Sequence, residues 1–309
     1  MDIKILGTES LGVRGLSCKV QVKDRKIIID PGLSLGYRRH GLLPHPVQVA
    51  VGEQVRREIM NALQEATDIV LSHFHGDHIP LPDANPYQLN AHRVAPLFQT
   101  VRLWSRGPDG LSHHMASRRE ALTDIFGRSL PNAEGQKDGQ LEFSCPVPHG
   151  DPDESCATVM MTRIEDEEDV FVHASDIQLL DEQAVSLILD WRPTITLVSG
   201  PPLYLSSLMK MQRRQEVWKQ AIRLAHGVKT LIIDHHLLRC KEGLVWLDNL
   251  SSKTNHRVIC AANFMEQPCR LLEARRTKLY NEMPVPEDWH DAYTRGETDT
   301  QQYRNDTKK

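Results

Sequence analysis

A chain of 309 residues, 40% apolar and 25% charged, is long enough to bury a sizeable core and has ordinary globular composition. A net charge of −4 gives no basic surplus that would announce nucleic acid, and no apolar run approaches the roughly 18 residues of a membrane span. The opening MDIKILGTES has no apolar leader character, and six cysteines without C-x-x-C spacing read as reduced thiols, so a cytoplasmic location is expected.

Residues 2–6, 18–23 and 26–30 read as strands separated by glycine and aspartate turn signals, and Asp30-Pro31-Gly32 ends the third abruptly. Residues 37–52 read as loop. Apolar residues at Val55, Ile59, Ala62 and Leu63 predict a helix over 53–66, followed by a strand at 68–72. Residues 80–140 read as a lid or small insertion, with three early prolines and a helix over about 112–127 capped by Ser112. The pattern then restarts with a hairpin (157–164 and 169–174), a helix over 179–190 and a strand over 194–199. A long helix over 203–226 and a strand over 228–233 follow. A further helix is expected over 257–281. One domain over 1–285 and a polar, frayed tail over 286–309 are expected.

The two halves are alike. DIVLSHFH (68–75) and TLIIDHHL (230–237) each place a histidine two residues beyond an apolar run. Packed face to face, such halves make an α/β fold, an αββα sandwich with two sheets inside and helices outside.

Histidine is abundant, with 15 residues, and the densest cluster is His73-Phe74-His75-Gly76-Asp77-His78. On a strand His73 and His75 share a face, and a turn at Gly76 can bring Asp77 and His78 back toward a second centre. Imidazole and carboxylate suit zinc, and also manganese or iron. A lone histidine is more often structural than a ligand; this crowding of donors is hard to explain otherwise.

H-x-H-x-D-H after an apolar strand resembles the signature of the metallo-β-lactamase superfamily, and the chain is similar to a branch of predicted hydrolases within it. The resemblance covers about residues 2–240. It implies further ligands: His149 in Pro148-His149-Gly150, Asp176 in VFVHASD as a bridge, and His235 in TLIIDHH, with His236 the second choice. It also implies a supporting Asp30. On this reading His73, His75 and His149 hold one divalent ion, and Asp77, His78 and His235 hold another. Asp176 joins them, and Asp77 also serves catalysis by orienting a water or taking its proton. Ser72, Asp234 and Asp30 are the expected partners that fix the imidazole tautomers.

The resemblance implies a metal-dependent hydrolase acting on an ester-type bond, with two ions, zinc first. The opening ILGTES with IIIDPG resembles phosphodiesterase members, which favours a small phosphodiester over a lactone or other cyclic ester. A small-molecule substrate is expected. A nucleic-acid partner is not favoured by the acidic balance, no membrane partner is expected, and a homo-oligomer is compatible with the chain. Iron-dependent redox chemistry and a non-catalytic metal-stabilised binding protein are the competing classes.

Other groups have weaker claims. Arg38, Arg39, His40 and His45 fall in the loop after Asp30, and His113, His114, Arg118 and Arg119 fall at a helix start. Both read as substrate-facing or simply solvated. His173 reads as structural, Cys145 and Cys156 as non-ligands, and Arg270, Arg275, Arg276 and Lys278 as a solvated helix face.

Overall fold

The computed structural model of the protein describes residues 1–150 and 157–308. The first sheet comprises β1 (Asp2–Gly7), β2 (Ser17–Val22), β3 (Arg25–Ile29), β4 (Asp68–Leu71) and β5 (Arg102–Ser105), in that spatial order. Its first three strands are antiparallel, and β3, β4 and β5 run parallel. The remaining strands are β6 (Lys137–Asp138), β7 (Leu141–Phe143), β8 (Val147–Pro148), β9 (Thr158–Val159), β10 (Thr162–Asp166), β11 (Asp169–His173), β12 (Ile195–Val198), β13 (Thr230–Ile233) and β14 (Arg257–Ile259). The second sheet has the order β14-β13-β12-β11-β10-β7-β6, while β8 and β9 form a separate pair.

Strand periodicity decides how the layers stack. In the first sheet Ile27, Ile29 and Val70 face the same core as Phe143, Phe171 and Leu197 of the second sheet. Their neighbours Ile28, Ile69 and Leu71 face the opposite way. There they pack on α1 (Pro46–Gln64), α2 (Ala91–Val94) and α3 (His113–Phe126) through residues such as Ile59, Val94 and Phe126. Beyond the second sheet lie α4 (Glu182–Asp190), α5 (Met211–His226) and α6 (Glu242–Thr254), which contribute Ile188, Ala221 and Leu250 to the first core. The result is the expected αββα sandwich. Strands buried on both faces need continuous apolar runs, which is why 27–29 and 231–233 are unbroken isoleucine and leucine. No helix among the described residues is long and apolar enough to cross a membrane.

Four expectations are corrected. Helix α1 begins at Pro46, not 53, because His45 caps it by accepting from the Val47 amide and Pro46 occupies the first turn. The expected helix over 257–281 is instead β14, then α7 (Ala261–Phe264) and α8 (Arg276–Glu282), with the unforeseen α6 preceding them. Val258 and Ile259 are β-branched and pair in parallel with β13, and Pro268 bars helix continuation. Residues 203–210 are turns, and α5 starts only at Met211.

The tail is not frayed. In α9 (Trp289–Arg295) and the following turn of 3₁₀ helix, Trp289 and Tyr303 are buried, and Tyr293 and Thr300 donate to Glu53 of α1. Within 80–140, β5 is an integral edge strand paired with β4, and α3 buries Met115, Leu122 and Phe126.

Candidate metal centre

The polar cluster gathers where strands of both sheets end, the usual place for ligands in sheets of this kind. Asp30 follows β3, His73 follows β4, Asp176 follows β11 and His235 follows β13. Backbone geometry there is unusual. Asp30, Ser175 and His235 all have positive φ, at 50°, 52° and 24°. Such strain persists only where the surroundings enforce it. Two glycines let the Asp77–Ile79 backbone sit close. A Cβ on Gly15 would lie 2.5 Å from the Asp77 carbonyl oxygen, and one on Gly32 would lie 2.3 Å from His78 C and Ile79 N.

Asp176 lies at the middle. Its Oδ2 is 2.9 Å from His149 Nε2, 3.5 Å from His73 Nε2 and 3.9 Å from His75 Nδ1. Its Oδ1 is 3.1 Å from His78 Nε2 and 3.4 Å from His235 Nε2. Asp77 Oδ2 adds a contact of 3.5 Å to His235 Nε2. The donors fall into overlapping groups, among them two that match the sequence expectation: His73, His75, His149 and Asp176 in one, Asp77, His78 and His235 in the other; Asp30 also groups with His73 and His78, and Asp176 with His235 and His236. All seven residues singled out from the sequence meet here. His73, His78 and His235 are fully buried, whereas the His75 side chain is 33% and the Asp77 side chain 17% exposed, so the centre opens on that side.

Hydrogen bonds behind the rings fix their tautomers. The Asp30 carboxylate accepts from Ser72 N (2.9 Å), Ser72 Oγ (2.6 Å) and His78 Nδ1 (2.9 Å). Ser72 Oγ, having donated to Asp30, accepts from His73 Nδ1 at 2.9 Å. Glu9 Oε2 lies 2.7 Å from His235 Nδ1, to which the Gly15 amide also donates at 3.3 Å. With its Nδ1 proton given to Ser72, His73 Nε2 is left as a bare lone pair aimed at Asp176. Burial of the His78 ring, by contrast, is overcome by the Asp176 and Asp30 carboxylates on either side of it, which hold it well above the ordinary imidazole range. His73 Nε2 and Asp176 Oδ1 have no hydrogen-bond partner although both are buried. Convergent acceptors without protons between them repel unless a cation joins them. Ligands sharing one tetrahedral zinc lie roughly 3.3 Å apart, close to these separations. The residues therefore fit a metal ion.

Electrostatics agree. Burial lowers His73 to about 3, reinforced by His78, so the ring is neutral. Burial also holds His235 well below the ordinary imidazole range, with Arg239 adding to the effect. Burial pushes the Asp176 and Asp77 carboxyls up, but the positively charged His78 ring beside them leads the effects that outweigh it and hold both well below the usual range.

His236, the second choice to His235, joins the cluster, and Gln178, Glu9 and Arg239 were not foreseen. His236 lies 3.3 Å from Asp176 Oδ2 and 3.1 Å from the Tyr204 hydroxyl, which makes it an addition to the set, with His235 in its expected place. Gln178 lies 3.2 Å from His149 Nδ1. Arg239 is buried and donates to Glu9, Asp77, His235 and Tyr204. Only the spacing of Arg239, four residues after His235 and just past a strand end, hints at this. Asp234, expected behind a ring, instead accepts from Thr8, Ser10 and Ala261 and touches no imidazole in the described contacts.

The weaker candidates separate clearly. His45 is a buried helix cap bonded to the Met283 carbonyl, away from the centre. Arg39 lies over the Tyr204 ring, 4.9 Å from its centroid, and donates to the Arg239 carbonyl. Arg38 and His40 are exposed. Arg118 donates to the Phe74 carbonyl and, with His113 and His114, lines a cavity of about 340 Å³. Arg119 donates to the Leu130 carbonyl. His173 bonds the Leu16 carbonyl, as a structural residue would. Arg276 is not solvated: it is buried and donates to the Gly36, Leu42 and Leu35 carbonyls. Cys145 is exposed, and Cys156 lies outside the described residues.

No model of a known protein family matches the chain. It is 49% identical over 303 residues to a UPF0282 protein of Methanosarcina mazei, covering 98% of this chain and 99% of that one. The chain belongs to the UPF0282 family. A UPF0282 protein of Methanopyrus kandleri is 32% identical over 295 residues, covering 91% of this chain and all of the relative. Among solved structures, this UPF0282 chain is similar to the metallo-β-lactamase fold protein YhfI of Bacillus subtilis. The TM-score is 0.51 at 12% identity, over 84% of this chain and 95% of that one. The UPF0282 chain therefore has the metallo-β-lactamase fold, and its paired histidine–aspartate sets fit a metal-dependent hydrolase.

Proposed function

We propose that this protein hydrolyses an ester-type bond of a small anionic substrate, a small phosphodiester first, with a divalent ion held by His73, His75, His149 and Asp176. One observation carries the reading. Asp176 places one oxygen toward each donor set, and His73 Nε2 and Asp176 Oδ1 are buried there without a hydrogen-bond partner. Bound there, zinc or a similar ion would supply a low-pKa water and polarise the ester oxygen. The chain's own groups do the rest. Asp77, ionised and anchored through Oδ2 to Arg239 at 3.0 Å, orients the attacking water by accepting a hydrogen bond from it. Ser72, Asp30 and Glu9 keep the imidazole lone pairs pointed inward. Arg39, lying over the Tyr204 ring with its side chain 20% exposed, gives the neighbouring wall positive character that suits an anion.

The test pairs elemental analysis with hydrolysis of bis(p-nitrophenyl) phosphate. Metal bound in the purified protein, with turnover lost in Asp77→Ala and metal lost in Asp176→Asn, supports the reading. Bound iron with no hydrolysis of phosphodiesters or lactones would overturn it in favour of redox chemistry.

A further inference from the structure

The second donor set already contains a cation. Arg239 Nη2 lies 2.8 Å from His235 Nε2 and 3.0 Å from Asp77 Oδ2. These are the atoms a second ion would need, since His235 Nδ1 is already taken up by Glu9 at 2.7 Å and the Gly15 amide at 3.3 Å. We infer that Arg239 is a built-in substitute for the second ion. The protein then holds one divalent ion tightly, at His73, His75, His149 and Asp176, and admits another only against the guanidinium. This rests on the metal reading of the centre proposed above.

The arginine is fixed in place. Its Nε donates to Glu9 Oε1 at 2.6 Å and its Nη1 to the Tyr204 hydroxyl at 3.2 Å. Its guanidinium carbon is 5.9 Å from the Tyr204 ring centroid. The side chain is 8% exposed, and the backbone belongs to the 3₁₀ turn Leu237–Arg239 directly after His236. A planar group held at three corners cannot vacate the site by a simple rotamer change. Every polar edge of the guanidinium is used, and the edge facing the centre spends its donors on a carboxylate and an imidazole that are otherwise metal donors.

Charge makes the two halves unequal. A guanidinium supplies one positive charge to Asp77 without leaving the protein, and a divalent ion arriving beside it meets like charge in a water-poor site. The first set has no guanidinium among its donors: beyond one another its members meet Ser72 and Gln178, with the His78 ring 3.1 Å from Asp176. The family resemblance makes a two-ion centre the expectation; the side chains of this protein favour one ion and one arginine.

The experiment is a zinc titration of the full-length protein against a chelator of known affinity, with zinc counted per chain after dialysis. The expected result is one retained ion, with a second binding step at least about 100-fold weaker. Arg239→Gln, which removes the charge and leaves Glu9 beside His235, should retain close to two ions. Arg239→Lys, which keeps the charge, should stay at one. Two equally tight steps in the unaltered protein would overturn the inference while leaving the hydrolase reading intact. So would an Arg239→Gln variant that folds, by circular dichroism, and still retains one. No bound metal at all would overturn both. The unaltered protein's two-step isotherm decides the matter even if Arg239→Gln fails to fold.

Discussion

Asp30→Asn tests the argument that hydrogen bonds, and not only ligands, build this centre. The Asp30 carboxylate accepts from four donors: Ser72 N at 2.9 Å on Oδ1, and Ser72 Oγ, His78 Nδ1 and Ser175 Oγ at 2.6, 2.9 and 3.2 Å on Oδ2. An asparagine keeps one oxygen for the Ser72 amide and puts an NH₂ group where Oδ2 was. That group faces the His78 Nδ1 proton, donor against donor. His78 must rotate or move its proton to Nε2, and either change removes a ligand lone pair. The Ser72 hydroxyl, no longer donating to Asp30, ceases to fix the His73 tautomer. Loss of a partner behind a ligand commonly costs about 10–100-fold in metal affinity. That is about 1.4–2.7 kcal/mol of binding. Competition with a chromophoric chelator measures the affinity directly. Melting in excess EDTA measures the change in the metal-free fold, so the two effects are separable. Unchanged zinc affinity in the variant would refute the reasoning, whatever the melting temperature did.

Three other outcomes follow from the same geometry. Asp68 is fully buried and accepts from Arg25, Arg102, Trp104 and Thr67; Asp68→Ala should cost about 3 kcal/mol or more in urea unfolding, and a loss below about 1 kcal/mol would contradict it. Gly32→Ala should destabilise by about 1–3 kcal/mol and weaken metal retention, because the new methyl meets the His78–Ile79 backbone at 2.3 Å; melting in EDTA and chelator competition read the two effects. His290, bonded to Tyr87 and Tyr280 and near Arg276, His45 and Asp291, is lowered to about 4 by burial and then by Arg276. The unfolded ring takes a proton below about 6.5 that the folded ring refuses until about 4, so its contribution is full above 6.5 and is lost as the pH falls toward 4. Melting temperature should fall less steeply over that range in His290→Gln, and equal slopes would exclude the linkage.

The fold was legible where periodicity and burial agreed. The isoleucine and leucine runs at 27–29 and 231–233 read as strands, and they are, buried along their whole length. Reading failed where a long-range partner overrode the local pattern. Residues 257–259 are short and flanked by helix formers, and become a strand only because β13 offers a parallel edge. The tail looked unanchored because its polarity is real; what secures it is Glu53 on α1, some 240 residues away, together with two buried aromatic rings.

The centre shows the same division in finer detail. The likeness of 68–75 to 230–237 aligns Ser72 with Asp234 and His73 with His235, and it suggests equivalent supports behind equivalent rings. The structure separates them. Ser72 is neutral, so it can relay Asp30 to His73, and Asp30 faces His78, whose nearby charge outweighs burial and holds that carboxyl below its ordinary range. Asp234 meets only neutral hydroxyl and amide donors, and burial pushes its carboxyl up. It serves as a clamp for the loops at Thr8–Ser10 and Ala261, and the duty of orienting His235 passes to Glu9. Glu9 in turn has to be balanced, and Arg239 is what balances it. A sequence shows the ligands because their spacing is local. It conceals Glu9 and Arg239 because their pairing spans 230 residues, and that pairing is what places a guanidinium among the donors of the second set.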